Sequence, residues 1–171
     1  MKKIFSLSAL VAAVITILIV AGCKKDNNNN NNNNGGGSGI SGTFGGKAWQ
    51  STYVIGDFSY STLALNGYYV NGIDTTLVYI GILTSIKVGQ PDVNFQSSDV
   101  GFTKANGTIA NGTNYTSGDF FGGHGTLTVT SWDTAGKKIN GTFSGVLYNP
   151  QNSKDSMVVT NGHFNTSYTL R

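Results

Sequence analysis

Leu127-Thr128-Val129-Thr130-Ser131-Trp132 and Ile139-Asn140-Gly141-Thr142-Phe143-Ser144-Gly145-Val146-Leu147-Tyr148 flank the turn sequence Asp133-Thr134-Ala135-Gly136. Both runs alternate apolar and small or polar residues with period two, and the break between them carries Asp and Gly. That pattern predicts a β-hairpin. Ile139, Phe143 and Leu147 fall on one face of the second strand, with Gly141 and Gly145 between them, and Val129 in the first strand points the same way. Beyond the Asn149-Pro150-Gln151-Asn152 loop, Met157–Phe164 returns beside the hairpin.

Working outward, Thr75–Thr84 is apolar on both faces, which suits a central strand. From Ile40 onward no stretch keeps a 3.6-residue period for three turns. Composition agrees. Charged residues make up 11% of 171 residues, against roughly 25% in an ordinary soluble protein. All eight acids are Asp, and 24 glycines with abundant Ser, Thr and Asn fill the gap. Such a chain lacks helix formers and favours strands joined by tight turns. The fold class expected is all-β, an antiparallel β-sandwich, with a partly open barrel as the alternative. Asn-Gly pairs begin at 66, 71, 106, 111, 140 and 161. The first four suit type I′ turns or loops. The last two sit inside apolar alternation and mark bulges.

The N-terminus is of another kind. Lys2 and Lys3 precede an apolar stretch from Ile4 to Val20, the layout of a secretory signal over residues 1–22. About 17 residues is marginal for spanning a bilayer, which needs roughly 20, so a retained transmembrane anchor is the weaker reading. Val20-Ala21-Gly22-Cys23 resembles the bacterial lipobox, which implies cleavage between Gly22 and Cys23 and lipidation of Cys23, the only cysteine. Several acyl chains exceed the two-signal requirement for stable membrane anchoring. Lys24-Lys25-Asp26, eight Asn and a Gly-rich segment follow, without an apolar residue before Ile40. Nothing there offsets the entropy of ordering, so residues 23–39 are expected to form a lipidated, disordered tether. Its 16 residues after Cys23 average about 22 Å end to end and reach about 55 Å when stretched. Residues 40–171 then make one all-β domain, expected to be monomeric.

Lys24 after the cysteine resembles sorting to the outer membrane, and the Cys-Lys-Lys-Asp start with its Asn-rich spacer resembles lipoproteins of the Bacteroidota. Asp26 alone is a short acidic stretch, so periplasmic face and cell surface both stay open. Further along, Gly125–Thr130, Lys138–Ser144 and Val159–Phe164 resemble a family of small Bacteroidota lipoproteins of unknown function. Its pattern is a strand, a Gly-Thr-Phe strand and a final Asn-Gly-x-Phe strand, and Gly46-Lys47-Ala48-Trp49 matches its opening element. The resemblance implies an all-β domain and transfers no catalytic or binding residue.

Charge excludes one function class. From residue 40 onward seven basic groups balance seven aspartates, so the formal +3 belongs to the leader and tether. A neutral domain has little to offer a polyanion, and nucleic acid is not an expected partner. Cofactors and metals are likewise not expected. His124 and His163 are separate, His124 in a turn and His163 facing solvent, and a zinc site would need Asp119 or another distant Asp. Gly42–Ala48 imitates a phosphate loop but is one residue short, has Ala48 in the Ser/Thr position and precedes a strand. With no Gly-x-Ser-x-Gly elbow and no Glu, an enzyme is not expected, though two converging aspartates would permit a hydrolase.

What remains is binding or envelope structure, with a carbohydrate-binding accessory lipoprotein of a glycan uptake system as the alternative. Partners would be the membrane through Cys23, and a glycan or an envelope protein. Trp49 is expected to plug one end of the core; the candidate sugar-stacking aromatics, with Trp49 as the alternative reading of that residue, are Trp49, Trp132, Tyr68 and Tyr69. Asp74-Thr75-Thr76, Asp133-Thr134-Ala135 and Asp155-Ser156-Met157 resemble an O-glycosylation sequon of these bacteria. The candidate acceptors are Thr75, Thr134 and Ser156, the last two in expected turns.

Overall fold

A computed structural model describes residues 38–106, 112–118 and 122–171. Within them lie twelve strands and no helix: β1 (Gly39–Phe44), β2 (Lys47–Gln50), β3 (Tyr53–Ser59), β4 (Thr62–Asn71), β5 (Asp74–Leu83), β6 (Pro91–Val93), β7 (Ser98–Asn106), β8 (Thr113–Thr116), β9 (His124–Asp133), β10 (Lys138–Asn149), β11 (Asn152–Ser167) and β12 (Thr169–Leu170). The ladder runs β12-β3-β4-β5-β7-β8-β10-β11-β1-β2, with β9 on β10 and β6 outside β9. One edge of β10 is shared end to end: β9 takes Lys138–Val146 and β8 takes Tyr148. The expected antiparallel sheet needs one correction. The short β12 runs parallel to β3, so the sheet is mixed.

The sheet folds over on itself without closing into a barrel. Phe44 of β1 stacks on Phe102 of β7 with centroids 5.0 Å apart, although three strands separate β1 from β7 in the ladder. Such contact requires two facing halves, β3-β4-β5-β7 against β9-β10-β11-β1, in a sandwich-like arrangement. Leu63, Leu65, Val78, Ile80, Ile82 and Val100 from one half meet Ile40, Leu127, Val129, Ile139, Leu147 and Phe164 from the other, all essentially inaccessible to water. β5 is central, between β4 and β7, as its two-faced apolar sequence requires. The β9–β10 hairpin forms with Ile139 opposite Trp132, and Ile139, Phe143 and Leu147 share the buried face.

Two bulges set which side chains face inward. On β11, Gly162 lies opposite Phe143 and Val159 opposite Gly145, so two residues, Thr160 and Asn161, oppose the single Ser144. Asn161 takes φ of +52°, a left-handed conformation Asn tolerates better than most residues. The extra residue shifts the alternation by one, so odd-numbered Val159 and even-numbered Phe164 both enter the core. On β9 the shift falls opposite Asn140/Gly141 and the additional residue is Thr130. The bulge marked by Asn161 is therefore on its own strand, and the one marked by Asn140 is on the partner.

Glycine and phenylalanine interlock across β10 and β11. Gly141 pairs with Phe164 and Phe143 pairs with Gly162. A Cβ on Gly141 would run into the Phe164 ring and the Thr128 carbonyl, and one on Gly162 would run into the Phe143 carbonyl and ring. Each ring covers the bare backbone of the glycine opposite. The Gly-Thr-Phe and Asn-Gly-x-Phe strands are thus two halves of one packing device.

Some turn expectations fail. Asn66-Gly67 lies inside β4, not in a turn; Gly67 is buried, and a Cβ there would sit 3.1 Å from Ile40 Cδ1. Glycine at this position lets the two layers approach. After Asn71 the two-residue turn is Gly72-Ile73, with positive φ at Gly72 alone, the signature of type II′ instead of I′. Asn106-Gly107 and Asn111-Gly112 extend into residues 107–111, outside the described residues. Asp155-Ser156 belongs to β11 because that strand begins earlier than Met157. His124 opens β9, and His163 is half-buried on the outward face of β11.

Candidate functional site

Trp132 lies where the β9 bulge sends it. Strict alternation would place it on the outward side with Thr128; the extra Thr130 turns it toward the other half of the sandwich. There Phe58 of β3 meets it edge-on, with centroids 6.4 Å apart and planes at 79°. Trp132 Nε1 donates a 3.0 Å hydrogen bond to the hydroxyl oxygen of Tyr168, whose ring lies 6.1 Å from that of Phe58. Thr84, Thr134 and Leu170 complete an open cleft of about 330 Å³. Its lining is three aromatic residues, an exposed leucine and two threonines. That volume lies at the lower end of small-molecule sites.

β12 holds one side of this cleft. Thr169 Oγ1 donates to Asp57 Oδ1 at 3.1 Å, Arg171 Nε lies 3.0 Å from the same oxygen, and the Arg171 amide donates to the Phe58 carbonyl. Leu170, between them, keeps its side chain toward the aromatic rings.

The four stacking candidates do not share a platform. Trp49 is half-buried on β2, edge-on to Phe44 at 5.6 Å, and its Nε1 donates to Thr76 Oγ1 at 2.7 Å. It closes one side of the core. Tyr68 stacks on Tyr53 across β3 and β4 at 4.9 Å, while Tyr69 projects from the opposite face of β4. Only Trp132 lines the aromatic cleft. Phe58 and Tyr168, its companions, were not singled out from sequence. Their signal is the alternation Gly56-Phe58 and Phe164-Thr166-Tyr168.

Asp57, Asp92, Asp99, Asp133 and Asp155 are engaged as acceptors in local structure. Asp99 accepts from the fully buried Ser117 hydroxyl at 2.7 Å, and Asp92 accepts from the Ser97 amide and from Ser98 Oγ at 2.6 Å. Asp155 receives the Tyr115 hydroxyl and the Asn149 amide, and Asp133 caps the Gly136 amide at 2.8 Å. Burial raises the Tyr115 hydroxyl above its ordinary pKa, reinforced by its bond to Asp155, and burial with the Asp99 charge raises that of Tyr79. Both phenols stay neutral across the physiological range. Burial lowers the pKa of His163, which favours its neutral imidazole. No group of three or more His, Cys, Asp or Glu suited to a metal occurs among the described residues.

Of the candidate modification sites, Thr134 is exposed at the hairpin tip beside the cleft, Ser156 is exposed on β11 and Thr75 is half-buried within β5. Gly22, Cys23 and Asp119 lie outside the described residues.

Fold and cleft together define an all-β protein with an open aromatic cavity at one end of a folded-over sheet. Residues 128–167 match the family model of DUF5025, a domain of unknown function. That segment holds both bulges and the interlocked glycine–phenylalanine pairs. No curated protein and no solved structure matches the chain.

Proposed function

We propose that the protein is an outer-membrane lipoprotein of Bacteroidota type, tethered through Cys23, whose β domain binds a ligand without catalysing a reaction. The observation that carries the binding reading is the Phe58–Trp132–Tyr168 cleft. The ligand its lining favours is a sugar ring. A pyranose has an apolar C–H face and a hydroxylated rim, which match aromatic walls and the nearby Thr84 and Thr134 hydroxyls. The engagement of Asp57, Asp92, Asp99, Asp133 and Asp155 in local hydrogen bonds supports a non-catalytic role. The tether reading rests on the signal, lipobox and Asn/Gly-rich spacer of residues 1–39.

Trp49→Phe leaves Trp132 as the single tryptophan, so its fluorescence reports the cleft. Titration with mono- and disaccharides is expected to give a saturable change in emission. Leu170→Ala, which removes an exposed wall and leaves the core intact, should weaken that binding about tenfold, equivalent to ~1.4 kcal/mol of lost contact. A flat titration with every sugar would remove the carbohydrate reading.

A further inference from the structure

The outward face of β9, β10, β11 and β1 has a composition unlike the rest of the domain. Register places Thr128, Thr142, His163 and Ser41 in one cross-strand row. In the next row Thr126 pairs with Ser144, which faces the bulge, and Thr160 beyond it pairs with Thr43. Seven hydroxyls and one imidazole thus form a two-row array. Strand spacing makes each row about 14 Å long and separates the rows by about 7 Å.

The array is also concave. Thr126, Thr128, Thr142, Ser144, Thr160 and His163 line a groove of about 540 Å³. The bulge at Asn161 bends β11 beside the groove. None of the residues lining the groove is a Lys, Arg or Asp, so a charged ligand would find no counter-charge. The aromatic cleft lies on the inward-facing side of Trp132, so the two sites are separate. Threonine is stiff about χ1, so its hydroxyls lose little freedom when they bind. A neutral imidazole both donates and accepts, as does each hydroxyl.

We propose that this groove is a second binding surface, for a neutral, extended polysaccharide laid across the strands. It shares with the cleft reading only the ligand class. A neutral glycan offers many hydroxyls that pair with the array, and its lack of charge matches the uncharged lining. Several sugar rings fit along a 14 Å row, whereas the cleft accommodates one.

The test is affinity electrophoresis of the full chain through gels containing hydroxyethylcellulose, mannan, galactan or dextran, with polygalacturonate as the charged comparison. Retardation by at least one neutral polymer is expected. Thr128→Val with Thr142→Val keeps shape and strand preference while deleting two central hydroxyls, and should weaken the retardation at least tenfold. Thr128→Ala with Thr142→Ala repeats the test without the valine methyls, and thermal melting verifies that each variant is folded. Absence of retardation in every neutral gel, retardation by polygalacturonate alone, or full retardation of the folded double variants would each overturn the proposal. The Trp132 titration with short sugars reads the cleft separately. A responding cleft with an inert face, or the reverse, shows which reading has failed.

Discussion

Gly162→Ala and Gly141→Ala are each expected to lower domain stability by about 3 kcal/mol or more, at the top of the range for overpacking. Neither glycine has positive φ, so alanine is conformationally permitted at both. Replacing glycine in an accessible conformation would by itself stabilise the fold by about 0.4–1 kcal/mol through the unfolded state. Space reverses the sign. At 162 the new methyl would lie 2.6 and 2.7 Å from Phe143 Cδ2 and Cε2 and against the Phe143 carbonyl, which belongs to the pairing strand and cannot swing aside. At 141 it would meet the Phe164 ring and the Thr128 carbonyl.

Phe143→Ala should cost about 3–5 kcal/mol through the cavity it leaves. Against a total of roughly 5–15 kcal/mol, any of these changes takes a large share. Thr142→Ala, on the outward face, should cost about 1 kcal/mol or less. Because Phe143 and Gly162 occupy the same space, Phe143→Ala combined with Gly162→Ala should cost less than the sum of the single changes. Denaturant midpoints of the five variants against the unsubstituted protein read all of this. Unchanged midpoints for both glycine variants would show that the strands are not interlocked as described.

Cys23→Ser is expected to move the protein from the membrane fraction to the soluble fraction almost completely. A single acyl chain gives marginal membrane affinity, and the lipobox reading supplies several, so losing the acceptor sulfur removes all of them together. The apolar stretch of about 17 residues is too short to be a comfortable span. Fractionation after cell lysis, with metabolic labelling by a palmitate analogue, checks both location and lipid. Continued membrane association without label would favour an uncleaved transmembrane segment.

Much of the fold is legible in the chain. The absence of Glu, the period-two runs and the Asp-Gly turn specify strands, and the β9–β10 hairpin forms with its expected faces. The candidate sites are legible only in part. Trp132 lines a cavity, but its partners come from β3 and from Tyr168, 74 and 36 positions away. Trp49, Tyr68 and Tyr69 are individually prominent and collectively dispersed. The hydroxyl array was hidden for another reason: alternating threonines on a strand signal only that the strand has an outward face. Their alignment into rows depends on the register of three neighbouring strands.

By itself the sequence determines what local chemistry determines. Side-chain alternation sets two faces on each strand, Gly and Asp place the β9–β10 turn, and charge counting makes the 40–171 segment neutral. Asn161 even marks its own bulge. Tertiary structure decides how those faces are used. The additional Thr130 turns Trp132 from the outward side to the core, and Gly67 becomes a contact point between layers instead of a turn. One edge of β10 divides between β8 and β9, which joins the halves into a folded-over sheet instead of a closed barrel. The physical reason is that alternation is a property of consecutive residues. A one-residue offset in pairing, by contrast, reverses every face beyond it and is selected by packing against residues distant in the chain.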